Sequence, residues 1–238
     1  RKEIDIAVHS MKDMPAEIPA GLKIGAIPKR EDPRDALITR HKTPWADIPP
    51  GSRIGTASLR RQAQIRKLRP DLTFVPLRGN LDTRFRKLES FDVDAIILAA
   101  AGLHRMGWKD RITEYLPIEV RLPAIGQGAL AIECRSGDEK VDAAIAFLNH
   151  TETASLIHAE RALLVRLEGG CQVPIAGFAK MENGGITLTG LVSNLDGTEQ
   201  IYEKRHGAAE WAEGLGMQLA ELLLARGASR ILKELTGE

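Results

Sequence analysis

The chain has 238 residues, 43% of them hydrophobic and 27% charged, with a net charge of +1; that is long enough for one to three domains with cores of their own. The near-zero net charge gives no global case for a nucleic acid or a membrane surface as partner, and no apolar run approaches the roughly 20 residues of a membrane-spanning helix. Only two cysteines, Cys134 and Cys171, are present, which excludes a disulfide framework and favours a reducing compartment.

The chain begins at Arg1 and enters a strand pattern almost at once. A preceding N-terminal segment is therefore expected, and a targeting peptide would lie there. Residues 4–8, Ile-Asp-Ile-Ala-Val, predict a buried strand that delivers His9-Ser10-Met11-Lys12-Asp13 at its C-terminal end. Pro15, Pro19 and Gly21 mark a loop, and 22–27 predicts a second short strand. The charged run 29–35, Lys-Arg-Glu-Asp-Pro-Arg-Asp, reads as a hinge between domains.

Strand and helix then alternate. A strand at 53–55 leads through Thr56-Ala57-Ser58 into a helix over 59–68, which Pro70 stops. A strand over 72–77 ends in Arg78-Gly79-Asn80, and Asn80 is placed to cap a helix over 81–89. The apolar run 94–99 is the next strand. This alternation predicts a parallel sheet with helices on both faces.

In Leu122-Pro123-Ala124-Ile125-Gly126-Gln127-Gly128-Ala129, glycines flank Gln127 and bring backbone close to a neighbour. A strand at 130–133 and a helix at 138–148 follow. Asn149 and Glu152 fit a capping box for the next helix, whose apolar Leu156, Ile157, Leu163, Leu164 and Leu167 keep helical spacing. Gly169 suits the position past its end. Strands are predicted at 175–181, 186–194 and 200–205, with hairpin turns at Asn183-Gly184 and Asp196-Gly197, and a last amphipathic helix at 210–224. The fold class is α/β, with a small C-terminal α+β domain built on an antiparallel sheet.

Ligands of open α/β sheets sit at the C-terminal ends of strands. This chain puts Ser10, Lys12 and Asp13 at one such end, Thr56 and Ser58 with Arg60 and Arg61 at another, and Arg78 and Asn80 with Arg84 at a third; Arg105 follows a fourth. Hydroxyls, helix N-termini and repeated arginines are what a polyanion requires. Plainer readings stand beside this. An Arg-rich helix is commonly a solvated face, Lys12 and Asp13 could be a surface ion pair, and Thr56 and Ser58 could be helix caps only. The histidines show no metal spacing and neither cysteine sits in a Cys-x-x-Cys pair, so no zinc site is expected. A lone cysteine is commonly an inert small hydrophobe, which suits Cys134 in its apolar strand. Cys171 instead follows Gly169-Gly170 at a helix end, as a soft nucleophile on a tight loop.

Six stretches, taken together and in this order, are highly specific: His9-Ser10-Met11-Lys12-Asp13, the run 30–35, Gly55-Thr56-Ala57-Ser58-Leu59-Arg60-Arg61, Leu77-Arg78-Gly79-Asn80, Leu122 through Gly128, and Leu167-Glu168-Gly169-Gly170-Cys171-Gln172-Val173-Pro174. They resemble the porphobilinogen deaminase (hydroxymethylbilane synthase) family over essentially the whole chain. The resemblance implies two periplasmic-binding-protein-like α/β domains facing a cleft, residues 1–28 with 129–146 and residues 34–122, and a third domain, 151–238. It implies a dipyrromethane cofactor joined to Cys171 through a thioether. Four porphobilinogen molecules are added to that primer with loss of ammonia at each step, and the linear tetrapyrrole is released by hydrolysis.

The resemblance makes Asp13 the catalytic aspartate, which stabilises cationic charge at the reacting pyrroles. It makes Ser10, Lys12, Asp13, Thr56, Ser58, Arg60, Arg61, Arg78, Asn80, Arg84, Gln127 and Gly128 binders of the cofactor, and Arg78, Arg84, Arg105 and Arg135 binders of the substrate carboxylates. A cytoplasmic monomer with no metal, nucleic acid or membrane partner is expected. Ala57 departs from the serine that the family often has. The family's N-terminal stretch is not in this sequence, so the first domain reads as incomplete, and a chain truly lacking that stretch is expected to be weakly active or inactive. The rivals are an anion-binding module without chemistry, for which Cys171 is superfluous, and a nucleic-acid protein, against which charge and low aromatic content both argue.

Overall fold

The computed structural model describes residues 3–167 and 173–236. In chain order, β1 (Ile6–Ser10) runs into a 3-10 turn at Met11–Asp13, and β2 (Leu22–Ala26) follows. Then come β3 (Asp35–Thr39), β4 (Arg53–Gly55), α1 (Leu59–Leu68), β5 (Thr73–Val75), α2 (Leu81–Glu89), β6 (Ala95–Ala99), α3 (Ala100–Arg105) and β7 (Glu114–Leu116). β8 (Leu130–Arg135), α4 (Glu139–Ile145) and α5 (Thr151–Arg166) lead to β9 (Ile175–Glu182), β10 (Gly185–Ser193), β11 (Gln200–Gly207), α6 (Ala212–Leu223) and α7 (Ser229–Thr236).

These strands make three sheets among the described residues, in the orders β1-β8-β2, β5-β4-β6-β3-β7 and β11-β10-β9. The expected parallel sheet is only partly parallel. β4 pairs in parallel with β5 and β6, the strands of the alternating stretch. β3 runs antiparallel to both β6 and β7; it lies between two strands that run parallel to each other and are joined through α3. The first sheet is antiparallel throughout, and so is the third, as expected.

The chain passes twice between the first two sheets, through residues 27–34 and 117–129. The passes touch: Glu31 N donates to Gly128 O at 3.2 Å. Gly128 has φ +91°, and a Cβ there would lie 2.4 Å from Glu31 O, so the crossing closes only around a glycine.

Helix starts follow local chemistry. The Ser58 side chain accepts from Arg61 N and the Asn80 side chain from Thr83 N, fixing the N-termini of α1 and α2. The capping box at Asn149 does not form. Asn149 Oδ1 accepts from Ile27 N at 3.0 Å, and the His150 ring caps α5 by accepting from Thr153 N. The long crossing contact outcompetes the local cap. The helix expected over 210–224 forms as α6, and beyond it Gly227, at φ 109°, kinks the chain into a further helix, α7.

The third sheet is covered on one side by α5 and α6, with Leu163, Leu188, Val192, Leu219 and Leu223 buried between them. On its other side Leu122 of the second crossing packs on Ala176 and Leu191. β10 is buried along its whole length for this reason.

Candidate active site

β1 ends at Ser10 and the backbone turns at once, with Met11 N donating to Ala129 O at 3.0 Å. Met11 is buried beneath the turn at 2% exposure, which leaves Lys12 and Asp13 on the rim of a cleft of about 740 Å³. Facing them are Ala57, Ser58, Arg60 and Arg61 from the start of α1, and Arg84 from α2. Ile125 and Gln127 of the second crossing line it too, and Leu164, Val165, Val173 and Ile175 form an apolar wall. Cys171 lies outside the described residues, but Val165 and Val173, which flank residues 168–172 in sequence, both line this cleft.

The cations of the cleft are poorly solvated. Burial, then the neighbouring Arg61 charge, pulls the Lys12 pKa from an ordinary 10.5 to about 8, against the opposing pull of Asp13 and Asp35. Burial also lowers Arg84, whose Nε is held by Gly79 O at 2.9 Å. Among the lining residues Lys12, Arg60, Arg61 and Arg84 outnumber the acids Asp13 and Glu17. Desolvated and under-neutralised cations favour a polycarboxylate ligand.

Arg60 and Arg61 are not solvated helix arginines. They are 5% and 6% exposed, and both reach Asp35, itself 1% exposed. Arg60 Nη2 is 2.9 Å from Asp35 Oδ2, and Arg61 Nη2 is 2.7 Å from Asp35 Oδ1. Burial alone would raise the Asp35 pKa, but the two guanidiniums and the Gln127 amide overcome it and hold the carboxyl far below its ordinary range. Gln127 Nε2 donates to Pro33 O at 2.7 Å and to Asp35 Oδ1 at 3.0 Å. Its Oε1 and Arg60 Nε are buried with no hydrogen-bond partner among the described residues.

The other expected site residues are spread more widely. Thr56 is buried, and its Oγ1 accepts from Ser58 N at 3.2 Å, so its hydroxyl shapes the turn. Ser10 and Asn80 flank the cleft in sequence without lining it, and Arg78, two residues before Asn80, is exposed. Arg105 Nη2 donates to Gly128 O at 2.8 Å, behind the crossing. Arg135 is not among the residues that line the cleft. It lies at the far end of β8 from Leu130, the partner of Ser10, and binds Asp5 at 2.6 Å and Asp138 at 3.0 Å.

Three buried partners were not expected as part of the site: Asp35, Arg30 and Glu160. Glu160 interrupts the apolar stripe of α5 between Ile157 and Leu163, which is a signal of a buried, paired acid. Of the remaining groups, His9 Nε2 lies 3.0 Å from Glu133 Oε2, and Cys134 is buried. No cluster able to hold a metal ion occurs among the described residues, and none of their helices is long and apolar enough to cross a membrane.

The family model described as "Porphobilinogen deaminase, dipyromethane cofactor binding domain" matches residues 1–143, and "Porphobilinogen deaminase, C-terminal domain" matches 154–225. The porphobilinogen deaminase of Geobacter metallireducens is 57% identical over 98% of this chain and 73% of its own length. That of Geobacter sulfurreducens is 55% identical over the same shares. Among solved structures, one described as an ABC transporter/periplasmic binding protein from Brucella ovis aligns at TM-score 0.34 and 18% identity, covering 62% of this chain and 44% of that one. The cationic cleft suits a polycarboxylate such as dipyrromethane, and the chain belongs to the porphobilinogen deaminase family, transferases that work on a dipyrromethane cofactor.

Proposed function

We propose that Asp13 is the catalytic carboxylate of this porphobilinogen deaminase and that Cys171 is the attachment point of its dipyrromethane. The observation that carries the reading is that Asp13 and the residues flanking 168–172 share one cleft with Lys12, Arg60, Arg61 and Arg84. When bound, the dipyrromethane would supply the free pyrrole carbon that accepts the first porphobilinogen, the linear chain growing from there.

Every other task falls to the chain. Lys12 and Arg84 bind acetate and propionate groups, with the cleft-facing edges of Arg60 and Arg61, and each such contact is a charge-assisted hydrogen bond. The Asp13 carboxylate stabilises positive charge that develops on the substrate pyrrole as its amino group leaves as ammonia. It also takes up the proton released when the new bond forms. Ile125, Leu164, Val165, Val173 and Ile175 keep water from the reacting end. Ser10, Thr56, Ser58, Arg78, Asn80, Gln127 and Gly128 shape and support the binding surface, and Arg105 braces Gly128.

Residues 1–28 with 129–146, 34–122 and 151–238 act as three domains around this cleft. The protein works as a cytoplasmic monomer on porphobilinogen. The mass of the denatured full-length protein, with peptide mapping across Cys171, tests the tether. An adduct of two linked pyrrole units on that peptide is expected, and an active preparation with an unmodified Cys171 would overturn it.

A further inference from the structure

We infer that Asp35 is a positioning residue for the reaction, fixing the orientations of the Arg60 and Arg61 guanidiniums against the crossing loops so that they meet the ligand's carboxylates from the cleft wall. The inference rests on the reading of that cleft as the polycarboxylate site. Asp35 touches no part of the cleft surface itself, since it is not among the residues that line it. Its carboxylate is held by three side chains whose residues do line it: Arg60, Arg61 and Gln127.

The geometry is that of a shared anchor. Arg61 gives Asp35 Oδ1 its Nε at 3.0 Å and its Nη2 at 2.7 Å, a two-point grip that fixes the guanidinium plane. Arg60 gives Nη2 to both carboxylate oxygens, at 3.2 and 2.9 Å. Each arginine has a second fixed point on backbone: Arg60 Nη1 on Leu122 O at 2.7 Å and Arg61 Nη1 on Ile97 O at 3.0 Å. Two like charges at 5% and 6% exposure repel, and one buried carboxylate between them is what lets both stay. Asp35 is also the first residue of β3, directly after the first crossing, and Gln127 comes from the second. The anchor therefore ties the arginine pair to both connections between the first two sheets.

Charge alone and positioning make opposite predictions for Asp35→Asn. Removing a negative charge from a cationic cleft strengthens anion binding if charge is all that matters. Loss of the anchor weakens it, by roughly tenfold for each charge-assisted hydrogen bond that the ligand loses. The experiment is calorimetric titration of the full-length apoprotein with benzene-1,2,4,5-tetracarboxylate at low salt, beside kcat and KM for porphobilinogen in the cofactor-loaded enzyme. We expect Asp35→Asn to bind the tetracarboxylate at least about tenfold more weakly and to raise KM more than it lowers kcat. Arg61→Lys, which keeps the charge but not the fork, should do the same, and it decides the matter if Asp35→Asn gives no cooperative melting transition. Equal or tighter binding by a folded variant overturns the role of Asp35 alone. No binding by the unsubstituted protein overturns the cleft reading and this inference with it.

Discussion

Arg30 and Glu160 form a buried ion pair, Nη1 to Oε1 at 2.6 Å, with side chains 8% and 0% exposed. Arg30 belongs to the first crossing and Glu160 to α5. Glu160 also accepts from Gly126 N at 2.7 Å, in the second crossing, and from Ala179 N at 2.8 Å, in β9. Arg30 Nε donates to Gln127 O at 2.8 Å, and its guanidinium stands 5.0 Å from the Phe178 ring centre. One carboxylate thus fastens both crossings to the third sheet. Such a pair is costly to desolvate and more costly to break, because the surviving partner is left buried and uncompensated.

Glu160→Gln keeps the shape of the side chain but removes the charge that Arg30 faces. It should destabilise the protein by about 3–5 kcal/mol, read as a fall in the urea midpoint at unchanged slope. A change in slope would instead mean that the third sheet has become a separate unfolding unit.

Gly128→Ala tests the crossing itself. The new Cβ would fall 2.4 Å from Glu31 O at a backbone angle of +91°. The strain should cost about 1–3 kcal/mol and shift Gly128 O, which accepts from Arg105 and from Glu31 N. Thermal melting gives the cost. An alanine variant as stable as the parent would mean that the crossing relaxes freely.

Much of this arrangement was legible in the sequence, where local chemistry decides it. Ser58 and Asn80 mark the starts of α1 and α2 because an N-cap is a contact over three residues, and Asn183-Gly184 marks a hairpin because both residues take positive φ. β3 was missed because its first residue is Asp35, which reads as the end of a charged run; only its arginine partners on α1 and Gln127 of the second crossing explain a buried acid there. α3 is short and opens with Ala100-Ala101-Gly102, without a cap signal. In the site, residue types were readable and pairings were not. Nothing within a few residues of Arg61 shows that its fork is turned inward to a residue 26 positions away, or that Arg135 is held by Asp5 and Asp138 at the other end of its strand.

Lys12 supplies a pH test. Its folded pKa, about 8, lies below the ordinary 10.5, so between those values the unfolded chain holds more protons and stability rises with pH. Below pH 8 the half-buried ammonium is a standing cost. Lys12→Met should therefore be more stable than the parent at pH 7, and the difference should close as pH rises through the same window. A bound polycarboxylate favours the charged amine, so binding near pH 8.5 should take up protons, seen as a dependence of the calorimetric enthalpy on buffer ionisation heat. Binding enthalpies independent of buffer would remove Lys12 from the ligand site.

The two arginines farthest apart in placement should separate cleanly. Arg84 lines the cleft and is held through its Nε by Gly79 O, whereas Arg135 is spent on two aspartates outside it. Arg84→Met should raise KM by about tenfold, the value of one charge-assisted contact. Arg135→Met should leave KM and kcat at parental values. A matching rise in KM for Arg135→Met would return that residue to the substrate surface.

Asp13→Asn bears directly on the chemistry. Asp13 is exposed to the cleft, close enough to Lys12 and Arg84 to act on their charges, and it ends a turn whose backbone is pinned by Met11. The amide therefore occupies the same place with the same hydrogen-bonding reach, and stability should change little. Only the negative charge is lost. If that charge stabilises the cationic substrate as ammonia leaves, kcat should fall by about 10²–10³, the cost of removing a preorganised electrostatic partner, while KM changes far less. The variant's intact mass should still show the adduct on Cys171 if the primer, once attached, is held by the cationic side chains without help from Asp13. Parental turnover with a full adduct would take Asp13 out of the mechanism, and loss of both turnover and adduct would move its role to loading the primer.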